Sequence, residues 1–141
     1  MKVVVKDILA IDGGHEKNCT VLALALAAQI PYELAFDIAK KAGRKDNEPM
    51  SSTVLLKKFN KEYSYLGTFK KVKRSPITVQ KFCKQFSEGR YYVRKSKHAF
   101  SVINGDVHDN HPTKPRERIL DAWKFCVDKT QPVTDDIKHA R

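Results

Sequence analysis

The sequence of 141 residues lacks any apolar run long enough to cross a membrane. A helix that spans a bilayer needs about 20 consecutive apolar residues, and the longest apolar stretches of this chain are much shorter. The apolar start, residues 1–5, is also too short for the hydrophobic region of a signal peptide. These absences predict a cytoplasmic protein with no membrane association.

Cysteine is scarce as well, and its three positions, Cys19, Cys83 and Cys126, are far apart in the chain. An odd number of widely spaced cysteines does not suit a disulfide framework, and the absence of a CxxC pair argues against structural zinc. Internal repeats and low-complexity segments are missing too. Residues 1–141 are therefore predicted to form one domain, with a frayed polar tail at 130–141.

Acidic residues are in the minority, because 16 aspartates and glutamates stand against 27 lysines and arginines, for a formal net charge of +11. A strongly basic chain favours anionic partners, either acidic proteins or nucleic acids. The basic residues form one tight cluster, Lys70, Lys71, Lys73 and Arg74. This cluster and residues 90–97 are the candidates for phosphate contacts in a nucleic-acid-binding protein, and the alternative is a solvated lysine-rich surface.

The order of hydrophobic patterns predicts an α+β fold. Helical spacing of apolar residues comes first and gives way to strand-like alternation after Gly89. Helices are expected at 20–29 and 32–42, after Ser51 or Ser52, and after Thr78, and strands at 2–11, 90–94, 98–103 and 106–109. Residues 118–127 are either a last strand or a short helix, and a strand is favoured. We therefore expect N-terminal helices packed on a C-terminal antiparallel sheet, with Cys83 and Trp123 in the core.

Cys19 is predicted to begin a buried helix. The preceding Asn18 is a favourable N-cap residue, and the run that follows is rich in alanine and leucine, which have high helix propensity. A thiol at that position lies at the positive end of the helix dipole and near unpaired N–H groups, and both favour the nucleophilic thiolate. The alternative is a small core cysteine, because free cysteine is among the most buried residue types.

A histidine and a carboxylate on the late hairpin are the candidates to complete a catalytic site. The Asn104-Gly105 pair favours a two-residue turn, which places Ile103 opposite Asp106 and sets the register of the hairpin. Side chains alternate faces along each strand, so His98 shares a face with its diagonal neighbour Asp109, while Asp106 points the other way. The register therefore selects Asp109 as the carboxylate that orients His98.

These three residue types suit nucleophilic acyl transfer. A Cys19 thiolate attacks a carbonyl carbon, His98 takes up and later delivers a proton, and Asp109 fixes the histidine tautomer. The tetrahedral oxyanion needs two hydrogen-bond donors. The backbone N–H of Cys19 is one candidate, and the second is either the Asn18 side chain or a group in loop 13–17.

Metal binding is an alternative for the same residues. His98, Asp109 and His111 are predicted on one face, and Cys19 with His98 could also hold zinc, but the spacing matches no compact zinc motif. We therefore predict no metal and no cofactor. Each residue also has a structural interpretation: a hydrogen-bonded strand histidine, a carboxylate at a turn, and a loop histidine.

The order of these features resembles the papain-like cysteine peptidases. In that superfamily a cysteine opens a buried helix, a histidine follows on a strand, and an acidic or amide residue follows on the next strand. The sequence is most similar to small domains of the bacteriocin-leader-peptidase type and to phage-encoded proteins of this size. The segments that carry the resemblance are Asn18-Cys19, Ala23-Leu24-Ala25, Tyr32-Glu33, Gly43-Arg44-Lys45, Thr78-Val79-Gln80-Lys81-Phe82, Gly89-Arg90-Tyr91-Tyr92-Val93, His98-Ala99, Val102, Gly105 and Asp109.

The resemblance implies a papain-like hydrolase that cleaves a peptide or isopeptide bond in a protein or peptide substrate. It implies Cys19 as the nucleophile, His98 as the base and Asp109 as the orienting residue. It also implies a phage-encoded protein of the host cytoplasm, whose positive surface serves an acidic or nucleic-acid-associated partner.

One feature of the family is missing from this chain. Papain-like enzymes place an oxyanion glutamine several residues before the cysteine, whereas this chain has Asp12-Gly13-Gly14-His15-Glu16 there. The departure keeps two other functions open. One is a catalytically weak or inactive binding module on the same fold that acts on a host factor, and the other is a basic nucleic-acid-binding protein.

Overall fold

The computed structural model of the chain describes residues 1–5, 19–45, 50–73, 76–110 and 112–127. Within these ranges the helices are α1 (Cys19–Ala28), α2 (Tyr32–Lys41), α3 (Ser52–Glu62) and α4 (Val79–Gln85). The strands are β1 (Val3–Val5), β2 (Thr68–Lys73), β3 (Ile77–Thr78), β4 (Arg90–Lys95), β5 (His98–Ile103), β6 (Asp106–Asp109), β7 (Arg118–Ile119) and β8 (Asp121–Cys126). The predicted α+β class is confirmed.

Six of the strands form one mixed sheet in the order β1-β6-β5-β4-β8-β2. Strand β1 runs parallel to β6, with Val3 opposite Val107, and the other neighbouring pairs are antiparallel. Strands β3 and β7 form a separate antiparallel pair. The expectation of a purely antiparallel, C-terminal sheet is therefore wrong, because the edge strands β1 and β2 precede α4 in the chain and one pairing is parallel.

Helix α1 is the buried centre of the fold. It consists mainly of alanine and leucine, and eight of its ten residues are buried. A helix that is apolar on all sides has to be enclosed by other elements, and α1 packs against α2, β4 and β5. Among the described residues no single helix is long and apolar enough to cross a membrane, and α1 and α2 reach that length only as a pair bent by 120°.

Arg90, the first residue of β4, holds the C-terminal end of α1. Its guanidinium donates to the carbonyl oxygen of Leu26 from Nη2 at 2.5 Å and from Nε at 3.1 Å, and to that of Ala27 at 3.3 Å. Helix ends leave such carbonyls without intrahelical partners, and a cation there also complements the helix dipole. Because this end of α1 lies at the start of β4, Cys19 at the other end lies near the turn between β4 and β5.

Both faces of the sheet are covered. Helices α1 and α3 pack on the face that carries Tyr92, α2 packs on α1, and α4 packs on the face that carries Tyr91. The hydroxyl of the fully buried Tyr92 shares a 2.7 Å hydrogen bond with Ser52, the first residue of α3. Cys83 and Trp123 are buried, so their predicted place in the core is confirmed.

The hairpin of β5 and β6 has the register that its turn residues predict. Asn104 and Gly105 both adopt left-handed conformations, with φ of 49° and 80°, as a type I′ turn requires. Ile103 lies opposite Asp106. The predicted register is therefore confirmed, and it determines which carboxylate lies beside His98.

Candidate active site

Cys19 and His98 meet where α1 and β5 begin. The His98 side chain forms a hydrogen bond with the Cys19 thiol, and the backbone N–H of Ala99 donates to the same sulfur. Cys19 is half-buried, and the His98 side chain is largely buried. The thiol and the imidazole that the sequence predicts as neighbours are therefore in contact.

Asp109 completes this hydrogen-bonded group. Nε2–H of His98 donates to Oδ1 of Asp109 over 2.6 Å, which leaves Nδ1 as the ring atom for the sulfur. The carboxylate is only 1% exposed, and the backbone N–H of Asn110 also donates to Oδ1, at 2.7 Å. Asp106 instead accepts from the backbone N–H of Lys2. The predicted distinction between the two aspartates is confirmed.

The surroundings of Cys19 favour the thiolate. Burial by itself raises the pKa of a thiol, because the charged form loses solvation. At Cys19 the hydrogen bonds from His98 and from the Ala99 N–H, together with the charge of His98, outweigh burial and the opposing charge of Asp109, and they lower the pKa. At Cys83 burial is the largest influence, and it raises the pKa to about 11.

The same contacts hold a proton on His98. Burial alone would lower the pKa of the imidazole, but the hydrogen bonds to Asp109 and Cys19 and the charges of both groups raise it to about 9. Both shifts favour an ionised pair, a Cys19 thiolate beside a His98 imidazolium. This ionised pair is the reactive state of a cysteine nucleophile.

Cys19 and His98 line a cleft of about 650 Å³. Its lining comes from Cys19 and Thr20 at the head of α1, from residues 50–53 at the start of α3, from the β4–β5 turn region, and from Asp121. Clefts of this size hold small ligands or a few residues of a peptide. A ligand in the cleft can therefore reach the Cys19 sulfur.

A buried polar network supports Asp109. Thr113 donates its hydroxyl hydrogen to Oδ2 of Asp109 and accepts a 3.5 Å hydrogen bond from Nζ of Lys95. Lys95 in turn pairs with Glu117 over 2.6 Å. Sequence reasoning missed this network, because a threonine four residues after an aspartate has no recognisable pattern and its partners lie in other segments.

Replacing Thr113 with valine should lower the free energy of unfolding by about 1–3 kcal/mol, because a buried carboxylate oxygen loses its donor while the side chain keeps its shape. Thr113→Ser keeps the hydroxyl, and its free energy of unfolding should fall less than that of Thr113→Val. Urea unfolding measures both values. An unchanged free energy of unfolding in Thr113→Val would contradict the importance of this hydrogen bond.

Several predicted site residues lie outside the described residues. They are Asn18 and loop 13–17, the candidates for the second oxyanion donor, and His111. The other oxyanion candidate, the backbone N–H of Cys19, lies at the head of α1, where N–H groups have no intrahelical acceptor.

The basic cluster predicted for phosphate contacts lies at the edge strand β2. Lys70 is exposed, whereas Lys71 forms a 2.9 Å ion pair with Asp121. Arg74 and the side chain of Lys73 lie outside the described residues. Charged lysines on an edge strand also discourage pairing with other chains, so the cluster has a structural explanation beside the predicted one.

Metal binding by the predicted residues has no geometric support in the part of the chain that the structure describes. No group of three or more histidine, cysteine or carboxylate side chains there is arranged to hold a metal ion. His98 instead forms hydrogen bonds with both Cys19 and Asp109.

Comparisons of the chain with protein-family models, with curated proteins and with solved structures find no match.

Proposed function

We propose that this chain is a cysteine hydrolase of the papain-like type that cleaves a peptide or isopeptide bond. The observation that carries the proposal is the hydrogen-bonded series Cys19–His98–Asp109 at the head of a buried helix, beside an open cleft. Nucleophilic acyl transfer requires a cysteine–histidine pair of this kind, with the imidazole oriented by a third group. A purely structural role is a poorer explanation, because burying ionised groups costs free energy.

The order of the elements supports the papain-like type. The cysteine begins a helix that packs on a sheet, and the histidine and the aspartate follow on two neighbouring antiparallel strands, β5 and β6. Papain-like enzymes share this order. The phage origin and the host-cytoplasmic location that the resemblance implies remain predictions.

The first step of the proposed reaction forms a thioester. The Cys19 sulfur donates an electron pair to the carbonyl carbon, and the carbonyl oxygen becomes an oxyanion that the Cys19 backbone N–H stabilises. The C–N bond then breaks, and the His98 imidazolium gives its Nδ1 proton to the leaving amine. The enzyme is left with an acyl group on sulfur and a neutral imidazole.

The second step returns the enzyme to its starting state. His98 removes a proton from a water molecule, whose oxygen attacks the thioester carbon. The C–S bond breaks, the carboxylic acid leaves, and the sulfur departs as a thiolate beside the reprotonated imidazole. Asp109 keeps Nε2 protonated throughout, so Nδ1 remains the atom that exchanges protons.

The proposal predicts a selectively reactive Cys19. At pH 6 an ordinary thiol with a pKa of about 8.5 is less than about 1% thiolate, whereas the Cys19 pKa is lowered. Iodoacetamide should alkylate Cys19 about tenfold or more faster than Cys126, even though a less basic thiolate is a weaker nucleophile. Timed quenching and mass spectrometry of the cysteine-containing peptides give all the rates in one sample.

Cys126 is the matched internal control, because it is also half-buried and not in a disulfide. A peptide library incubated with the protein then tests hydrolysis, with Cys19→Ala as the inactive control. Slow alkylation of all three cysteines at similar rates would contradict the proposal. Rapid alkylation of Cys19 without cleavage of any library peptide would favour the catalytically weak binding module instead.

A further inference from the structure

The cleft beside Cys19 carries more positive than negative charge. Its described lining contains the cations Arg94, Lys95 and Lys97 and the carboxylate of Asp121. Lys95 is buried and pairs with Glu117, so its charge is already balanced. The charge that a ligand meets therefore comes mainly from Arg94 and Lys97.

Asp121 does not balance the cations around it. Its Oδ2 accepts from Arg94, at 2.8 Å from Nε and 2.5 Å from Nη2, and its Oδ1 pairs with Lys71 at 2.9 Å. Partial burial would raise the pKa of Asp121, but the hydrogen bonds and charges of these two cations lower it. Two cations thus share one ionised carboxylate, so this group keeps one surplus positive charge at the edge of the cleft, although Lys71 itself lies outside the cleft lining.

Lys97 adds a second positive charge directly beside His98. Strands β4 and β5 are joined by the two-residue turn Ser96-Lys97, because Lys95 pairs with His98. Lys97 is exposed and has a φ of 57°, a left-handed conformation that glycine or asparagine adopts at lower cost. Lys97 therefore places a long cationic side chain next to His98, although the left-handed backbone at this position favours glycine or asparagine.

The N-terminal end of α3 also contributes positive polarity to the cleft. Ser51, Ser52 and Thr53 line the cleft, and Ser51 caps the helix by accepting from the backbone N–H of Val54. The other N–H groups of a first turn have no intrahelical acceptor and lie at the positive end of the helix dipole. This end of α3 therefore reinforces the attraction of Arg94 and Lys97 for an anion.

We propose that the substrate is an acidic peptide, with an aspartate or glutamate side chain within about two residues of the bond that Cys19 attacks. The inference rests on the proposed function, because it names the substrate class of the same site. Guanidinium and ammonium groups in a partly enclosed cleft favour a carboxylate, and a basic side chain would meet like charge. A cleft of about 650 Å³ has room for the scissile bond and its neighbouring side chains.

Two small reagents separate this inference from the proposed function. Iodoacetate and iodoacetamide add similar groups to a thiolate, but only iodoacetate is negatively charged. The iodoacetamide rate measures the reactivity of Cys19, and the ratio of the iodoacetate rate to the iodoacetamide rate measures the charge of the cleft. At low ionic strength this ratio should be higher at Cys19 than at Cys126 in the same sample, and it should fall as salt is added.

Variants of Lys97 test whether its side chain supplies the positive charge of the cleft. Lys97→Asn removes the cation but suits a left-handed backbone, and it should lower the Cys19 ratio about threefold, as one unit charge near a protein surface would. Lys97→Arg should retain the ratio. Lys57→Gln is the matched control, because Lys57 is exposed on α3 and outside the cleft lining. Equal ratios in Lys97→Asn and Lys57→Gln would overturn the inference even if Cys19 stays reactive toward iodoacetamide.

A peptide library tests the substrate class itself. Acidic residues should be enriched within about two positions of the cleaved bonds, and Lys97→Glu should reduce that enrichment in favour of basic residues. Cleavage without acidic enrichment would overturn the inference and leave the hydrolase intact. Another outcome is that a single-stranded oligonucleotide protects Cys19 from iodoacetate where acidic peptides do not. That outcome would assign the cleft to nucleic acid and would also overturn the inference. Slow alkylation by both reagents would refute the proposed function and this inference with it.

Discussion

Replacing His98 with glutamine should reduce peptide hydrolysis on the order of a hundredfold to ten-thousandfold, the range that a general acid–base residue contributes. The imidazolium forms a hydrogen bond with the thiol and lowers its pKa. Without it, only the hydrogen bond from the Ala99 N–H still opposes burial of the sulfur, and the pKa of Cys19 should rise. Less thiolate is then present at neutral pH, and no group remains to protonate the leaving amine.

Alkylation of the same variant checks the cause. The rate of Cys19 with iodoacetamide at pH 6 should fall by about tenfold or more, while the rate of Cys126 should not change. Circular dichroism and urea unfolding establish that the His98→Gln variant is folded, and imidazole added to His98→Ala should restore part of the rate. A folded His98→Gln whose Cys19 reacts as quickly as the wild type would show that His98 does not activate the thiol.

Asp109→Asn should shift the alkaline side of a bell-shaped pH profile. Hydrolysis needs a thiolate and an imidazolium, so it rises through the lowered pKa of Cys19 and falls as His98 loses its proton near pH 9. Asparagine keeps an oxygen that accepts from Nε2, but it lacks the negative charge that helps to raise the His98 pKa. The alkaline limb should therefore move to lower pH, with a loss of activity of at least about tenfold.

Further variants separate the charge of Asp109 from its hydrogen bonds. Asp109→Ala removes the acceptor for His98 and Thr113 as well, so it should lose more activity and more stability than Asp109→Asn. Thr113→Ser keeps the donor to the carboxylate and should leave the alkaline limb near pH 9. NMR titration of the His98 ring measures the pKa directly. An unmoved alkaline limb in a folded Asp109→Asn variant would mean that this charge does not control the proton on His98.

The hairpin half of the site was predictable because its causes are local. Asn104-Gly105 favours a single loop length, and side chains alternate along any strand. Together these two rules place Asp109, and not Asp106, beside His98, as the structure confirms. The helix that begins at Cys19 is local too, since it follows from the composition of the alanine- and leucine-rich run.

The long-range pairings were not predictable. The parallel addition of β1 to β6 depends on which strand edge is free in the folded sheet, and three valines contain no information about that edge. The bond between Thr113 and Lys95 joins side chains from an irregular segment and from the end of a strand. The sharing of Asp121 by Arg94 and Lys71 likewise requires β8 to lie between β4 and β2.

The amino-acid order alone determined the types of the main elements, the hairpin register and the residue types from which a catalytic group could be assembled. Only the tertiary structure decided that the Cys19 sulfur contacts the His98 ring, and that this contact favours the ionised forms of both groups. The physical reason is that a pKa depends on burial and on neighbouring charges and donors. At Cys19 these come from β5 and β6, about eighty to ninety residues further along the chain.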